Sequence, residues 1–238
     1  MIQGIYTAAS GMVAHQTRLD TLANNLANVD TPGFKADLVT IDQSATPSNL
    51  LSEISTPMST VEAGRPGLNL APGVLKTTGN PLDLAIIGPG LFVVDTPQGE
   101  RYTRAGNFVR DAEGFLATQD GFRVQGANGP VRVPDTGLRV DASGRLEDGD
   151  SLRFVESGAL SELMKTGGNL YAPAEGAQPP EERTEVTVAQ GQLEGSNVNV
   201  VMSMVEILAT MRTYEAYQRT IQALDQTVGQ AANDLGRV

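Results

Sequence analysis

Few residues of this 238-residue chain have the types and spacing that chemistry needs, and each has a plainer use. Asp83 stands inside an apolar run, Leu82-Asp83-Leu84-Ala85-Ile86. A carboxylate there suits general acid–base work only if a cleft perturbs it; its plainer role is a hydrogen bond at a turn or strand edge. Asp111-Ala112-Glu113-Gly114-Phe115-Leu116 and Asp141-Ala142-Ser143-Gly144-Arg145-Leu146 share the pattern DAxGxL. Neither has the alternating oxygen ligands and closing Glu of a calcium loop. Each predicts a hairpin turn in which Asp bonds its own backbone and Gly takes positive φ. Gly88-Pro89-Gly90 is a fragment of a Gly-rich phosphate loop without the rest. His15 is the single histidine, and the companions a metal needs are missing. Cys is absent, which removes disulfide and thiolate chemistry. Nucleophile elbow, P-loop, HExxH pair and Cys/His cluster are missing too. The sequence predicts no enzyme, no cofactor and no metal.

The elements that would position these residues are helices at both ends and strands between them. Ser196 to Leu235 contains no Pro, and its only Gly is Gly229. Ile207, Tyr214, Ile221, Val228 and Leu235 fall seven apart, with Tyr217, Leu224 and Ala231 three residues after three of them. Alternating spacings of three and four make a heptad seam on a helix. Ser196 or Asn197 is expected to cap its start, and Glu215 and Arg219 form a favourable i,i+4 pair. About 40 residues give a rod of about 60 Å. A domain of roughly 150 residues has a radius of gyration of only about 15 Å. The stripe therefore predicts a terminal coiled-coil arm with a partner outside the domain; a long helix lying on its own globule is the alternative.

Residues 2–29 repeat the theme. Ile5, Met12, Leu19 and Leu26 are seven apart, and Ala8, Leu22 and Val29 share the +3 track with His15, expected at a solvated or core edge. Gly4, Gly11, Asn24, Asn25 and Asn28 are poor helix formers, so this helix should form only when packed. The two ends can pair with each other. The expected assembly interface comprises Ile5, Met12, Leu19, Leu22, Leu26 and Val29 with Ile207, Tyr214, Tyr217, Ile221, Leu224, Val228 and Leu235.

Thr31-Pro32-Gly33-Phe34 stops the first helix as a type II turn. Residues 41–82 are polar and broken by Pro47, Pro57, Pro66, Pro72 and Pro81. They predict a linker of extended or short-strand character, with a disordered loop as the alternative. From Leu82, short β runs recur at about 8–12 residue spacing. Residues 172–185 predict an acidic, Pro-rich surface loop, and 184–189 one more strand. The chain thus divides into an N-terminal helix (1–35), an extended linker (36–81), a central β domain (82–190) and a C-terminal helix (191–238). The fold class is a mainly β domain of Gly-rich hairpins, an irregular barrel or sandwich, flanked by long helices that form a coiled-coil-like terminal domain. Net charge −11 argues against a nucleic-acid surface. MIQGIYTAASG has no basic n-region, and no stretch approaches the ~20 apolar residues of a membrane span. Neither a cleaved signal nor direct membrane insertion is expected.

Ala23 to Lys35 reads ANNLANVDTPGFK. This resembles the flagellar rod and hook family, the axial proteins of the bacterial flagellum, whose N-terminal signature is ANNLAN followed by TxGFK. The matching positions include Asn24, Asn25, Leu26, Asn28, Thr31, Gly33 and Phe34, and IYTAASGM at Ile5 to Met12 fits the same segment. Asn80 to Phe92 is similar to the family run NPLDLAIxGxGFF, with Leu91 where Phe is usual. Tyr102 to Phe108 matches YTRAGNF without a change. Leu193-Glu194-Gly195-Ser196-Asn197-Val198-Asn199 resembles the C-terminal signature LExSNVN. The resemblance spans nearly the whole chain. It implies a structural subunit of the basal-body rod, polymerising helically through paired terminal helices into part of the drive shaft, with β domains outward and residues 41–82 contributing contacts between subunits. It implies as partners other rod proteins, copies of itself and the flagellar export apparatus. It implies a place in the basal body, across the periplasmic space, reached without a cleaved signal. The chain length, LEGSNVN in place of LEASNVN and the MIQGIYTAASGM start favour the proximal over the distal rod. From a different class, a ligand-binding β domain with a coiled-coil dimerisation arm is the alternative, separated by whether filaments or a small-molecule-binding dimer form.

Overall fold

The structure, a computed structural model, describes residues 2–39, 41–46, 58–63, 67–156, 163–174, 176, 180–183 and 185–235. In order come α1 (Ile2–Ala27), β1 (Asp37–Leu38), β2 (Ile41–Thr46), β3 (Met58–Ala63), β4 (Gly67–Leu68), β5 (Leu75–Thr77), β6 (Leu84–Ile87), β7 (Leu91–Thr96) and β8 (Gly99–Thr103). Then follow β9 (Val109–Arg110), β10 (Leu116–Ala117), β11 (Arg123–Gly126), β12 (Gly129–Pro130), β13 (Phe154–Val155), β14 (Leu163–Gly167), β15 (Leu170–Pro173), β16 (Thr187–Gln190), β17 (Gln192–Glu194) and α2 (Val200–Leu235). Helices at both ends flank a mainly β middle. The chain forms two compact units: Met1–Ala27 with Asp37–Gly67 and Asn199–Val238, and Asn28–Ala36 with Leu68–Val198.

In the first unit α1 and α2 pack together and run antiparallel. Gly4 lies by Leu224, Gly11 by Tyr217, and Arg18 reaches Glu206. The helices hold 26 and 36 residues, about 39 and 54 Å of rod. α2 starts later than the sequence predicts, and its cap is neither Ser196 nor Asn197. Asn199 does that work: its Oδ1 accepts from the Met202 N–H at 3.1 Å, the third position of the helix. Within the predicted linker, β2 and β3 form an antiparallel hairpin from Ile41↔Ala63 to Thr46↔Met58, and β3 packs on α1. Pro47, Pro57 and Pro66 lie outside the described residues.

In the second unit a nine-stranded sheet runs in the order β14-β15-β8-β7-β11-β10-β9, with β12 beside β11 and β13 beside β7; β16–β6 and β17–β5 are separate pairs. This corrects the barrel expectation: among the described residues the path is open. β9, β10, β12 and β13 are two residues long. Pieces this short cannot carry the continuous staggered ladder that closure requires. The apolar run of β7 is explained by burial on both faces. Phe92 and Val94 enter the main core with Phe108, Leu116, Val124 and Phe154, while Leu91 and Val93 enter a second cluster with Tyr102 and Tyr171. Phe92 meets Phe108 edge-on at 5.1 Å, a favoured aromatic geometry.

The two DAxGxL segments are the turns the pattern predicts. Asp111 Oδ1 accepts from the N–H groups of Glu113 and Phe115 at 2.9 and 2.8 Å. Asp141 Oδ1 accepts from those of Ser143 and Arg145 at 2.8 and 2.9 Å. Gly114 and Gly144 have φ of 89° and 81°.

Candidate functional site

The most heavily engaged polar cluster of the second unit is three buried charges from three distant stretches. Lys35 follows the turn after α1, Arg104 follows β8, and Glu194 ends β17. Glu194 Oε1 accepts from Lys35 Nζ at 2.7 Å and from the Gly73 N–H at 2.8 Å; its Oε2 accepts from Arg104 Nε at 2.5 Å. Arg104 Nη2 also donates to the carbonyls of Ile86 and Gly88 at 2.7 and 2.8 Å, and Nη1 donates to that of Gly90. Lys35 Nζ reaches the Ala71 carbonyl at 2.9 Å. The three side chains are at most 5% exposed. Burial alone would push the Glu194 carboxyl up; the Arg104 charge and the hydrogen bonds from Lys35 and Gly73 outweigh it and hold the group below the usual carboxylate range. Burial lowers Lys35 despite the pull of Glu194. Both carboxylate oxygens are occupied by fixed donors, so the cluster suits holding chain segments together, not moving protons.

Several motif residues of the second unit lie beside this cluster. In the turn the Phe34 N–H donates to the Thr31 carbonyl at 3.3 Å, and the Thr31 hydroxyl donates to Asn28 Oδ1 at 3.2 Å. Gly33 has φ of 67°, and a Cβ there would stand 2.4 Å from the Arg104 carbonyl carbon; only Gly fits. Its N–H donates to the Glu194 carbonyl at 2.7 Å. Phe34 is buried beneath Lys165, whose Nζ lies 4.1 Å from the ring centroid. Asn197 Oδ1 accepts from the Ala36 N–H at 2.8 Å, and its Nδ2 donates to the carbonyls of Asn69 and Ala71 at 2.8 and 3.0 Å. Ser196 Oγ accepts from the Val198 N–H at 3.3 Å. Asp83 is buried in its own turn, accepting from the Thr78 hydroxyl at 2.6 Å and the Asn80 amide at 3.0 Å. Sequence reasoning did not single out Lys35, Arg104 or Glu194. The available signal was a charge set among small and apolar residues in each of three motifs.

In the first unit the chemistry is that of a helix seam. Ile207, Tyr214, Tyr217, Ile221 and Leu224 are half-buried on α2, and Val228 is 37% exposed. The side chain of Leu235 lies outside the described residues. On α1, Leu22 is buried and Ile5, Met12, Leu19 and Leu26 are half-buried; Val29, half-buried too, belongs to the second unit. On α1, Gly4, Gly11, His15 and Arg18 meet α2. A Cβ on Gly11 would stand 2.8 Å from the Tyr217 ring, so the missing side chain is the slot that takes the ring. The His15 ring lies 5.5 Å from that of Tyr217, and its buried Nδ1 has no hydrogen-bond partner. Burial and the Arg18 charge lower its pKa. Buried Asn25 brackets the backbone of Asp37 with two hydrogen bonds of 2.8 Å, and Asn24 is exposed. Among the described residues no cluster of His, Cys, Asp or Glu is arranged to hold a metal, and no helix is long and apolar enough to cross a membrane.

Three family descriptions match along the chain: "Flagella basal body rod protein" over residues 5–35, "Flagellar hook protein FlgE/F/G D1 domain" over 85–207, and "Flagellar basal body rod FlgEFG protein C-terminal" over 189–235. The flagellar basal-body rod protein FlgG of Bacillus subtilis is 32% identical, over 98% of this chain and 99% of that protein. FlgF of Mesorhizobium japonicum is 33% identical over 99% of both chains, and FlgF of Escherichia coli 33% over 97% of both. The matches run through both helices and through the segments that supply Lys35, Arg104 and Glu194, and the chain belongs to the flagellar basal-body rod protein family.

Proposed function

We propose that this chain is a non-catalytic structural subunit of the flagellar basal-body rod that polymerises helically through its paired terminal helices into part of the drive shaft. The observation that carries the reading is full-length similarity to rod proteins combined with an antiparallel terminal helix pair. The half-buried track of Ile207, Tyr214, Ile221 and Leu224 supports a coiled-coil-like pair. The partners on this reading are neighbouring rod subunits and further copies, met within the basal body in the periplasmic space. The flagellar export apparatus delivers the chain to that place. LEGSNVN in place of LEASNVN favours a proximal position over the distal one.

The test is Leu224→Asp against Gln222→Asp. Leu224 faces Gly4 across the seam, whereas Gln222 is exposed. Burying Leu224 stabilises the pair by about 1.5–3 kcal/mol, and an Asp there must stay solvated. Leu224→Asp is expected to keep the thermal transition of the β unit yet fail to enter the rod, leaving cells non-motile; Gln222→Asp is expected to be tolerated. Normal motility with Leu224→Asp removes the assembly role of the helix pair.

A further inference from the structure

The helix pair leaves two apolar faces uncovered. On α2, Val201, Met204, Val205, Leu208 and Met211 are each at least 46% exposed. At about 100° per residue they form one stripe roughly opposite Glu206 and Tyr217, which face α1. On α1, Tyr6 and Val13 are 61% and 63% exposed, one heptad apart and roughly opposite Gly4 and Gly11, which face α2. The two faces thus point away from each other across the pair. They also lie at opposite ends of it. Tyr6 and Val13 are level with the part of α2 that follows Tyr214, while the stripe is level with the last turns of α1. The offset is about 12 residues, on the order of 20 Å.

Charge indicates what covers them. At net charge −11, copies of this chain repel one another. Yet residues 1–17 contain no Asp, Glu, Lys or Arg, and residues 200–211 contain only Glu206, whose carboxylate lies 3.9 Å from Arg18. Like charge is removed from these two segments, as contact between copies requires. A helix that lies on a membrane surface carries Lys and Arg on its polar face, and neither segment has any.

We propose that the two faces are the halves of one head-to-tail contact between copies: the Val201–Met211 stripe of one copy packs on Tyr6 and Val13 of the next. This rests on the rod reading and assigns residues to it. Copies set side by side in the same orientation bring one face onto the other after a slide on the order of 20 Å along the helices. Different patches meeting in this way do not close on themselves, so the contact repeats. The seam of Tyr217 and Leu224 is then internal to each copy, and the outer faces do the joining.

The chain has no cysteine, so disulfide trapping is clean. Full-length Val13→Cys is mixed with Val205→Cys or Leu208→Cys, two positions about one turn apart so that one unsuitable geometry does not decide. The mixtures are oxidised and run on non-reducing gels, with circular dichroism as a check on helix content. Each mixture is expected to give a cross-linked dimer at least tenfold above any variant alone. A single variant that cross-links to itself as well as the mixture does indicates a symmetric contact and overturns the proposal. So does a mixture with no cross-link, whether wild type sediments as an oligomer or as a monomer. Oxidised cells in which Leu208→Cys joins a different protein overturn a second copy as the occupant while leaving the chain in the rod. The rod reading itself is judged separately, by rod incorporation of Leu224→Asp.

Discussion

Glu194→Ala removes the one anion shared by two buried cations. Breaking a buried pair by deleting one partner costs about 3–5 kcal/mol, because the remaining charge stays desolvated. Two circumstances push upward here: both Lys35 and Arg104 lose their counter-ion, and the Gly73 N–H loses its acceptor. One pushes downward: Arg104 keeps the carbonyls of Ile86, Gly88 and Gly90, and Lys35 keeps that of Ala71. A loss of about 3–5 kcal/mol stands against a typical total of about 5–15 kcal/mol for a domain. It corresponds to a Tm lowered by about 10–20 °C for a unit of this size. The assay is urea unfolding of the full-length protein, read on the methyl signals of Val93, Val94 and Val124 in the β core. Glu194→Gln keeps the shape but turns an amide donor toward Arg104 Nε, and is expected to fall between Ala and wild type. Acid adds a check on sign. The folded Glu194 pKa lies below its unfolded value, so its contribution is fully present above the unfolded pKa and is lost as pH falls through the folded one. The gap between wild type and Glu194→Gln should therefore narrow below about pH 4. A Glu194→Ala protein within about 1 kcal/mol of wild type at pH 7 would refute the idea that this cluster holds the unit together.

Asp111→Ala and Asp141→Ala each remove a carboxylate that ties two backbone N–H groups, and each should lower the melting temperature of the β unit by a few degrees; calcium and chelator should leave wild type unchanged. Gly11→Leu drives a side chain into the Tyr217 ring and should weaken the helix pair by about 1–3 kcal/mol, read as faster amide exchange along α1; Tyr217→Ala in the same chain should restore much of the loss. The folded pKa of His15 lies below its unfolded value, so its neutral form supports the pair fully above about pH 6.5 and that support is lost as pH falls through the folded pKa. Amide exchange in α1 should speed up between pH 7.5 and 5 in wild type, and less so in His15→Gln.

The heptad spacing on α2 was readable because large apolar residues carry it; Ile207, Tyr214, Tyr217, Ile221 and Leu224 are half-buried, whereas Val228 is exposed. On α1 the same rule chose large apolar residues and passed over Gly4 and Gly11, which lie against Leu224 and Tyr217 of α2. A pattern of hydrophobicity does not register a glycine that matters because it is empty. The cap on α2 was misplaced for a related reason. Asn197 looks like a cap, but its amide is already committed to Ala36, Asn69 and Ala71. The turns at Asp111 and Asp141 were legible because their hydrogen bonds are local. The Lys35–Arg104–Glu194 cluster was not, since no local rule pairs residues so far apart.

That separation has a kinetic consequence. Lys35 and Glu194 are 159 residues apart, and Ala36 and Asn197 are 161 apart. In a chain synthesised N-terminus first, Lys35 and Arg104 appear long before the carboxylate that neutralises them, and the Gly33 N–H waits for the same strand. Contacts of such long range close slowly, because the loop entropy must be overcome before any of them forms. The second unit therefore cannot lock while the chain is still being made: the cluster sets only once residue 194 is present, just ahead of the stretch that becomes α2.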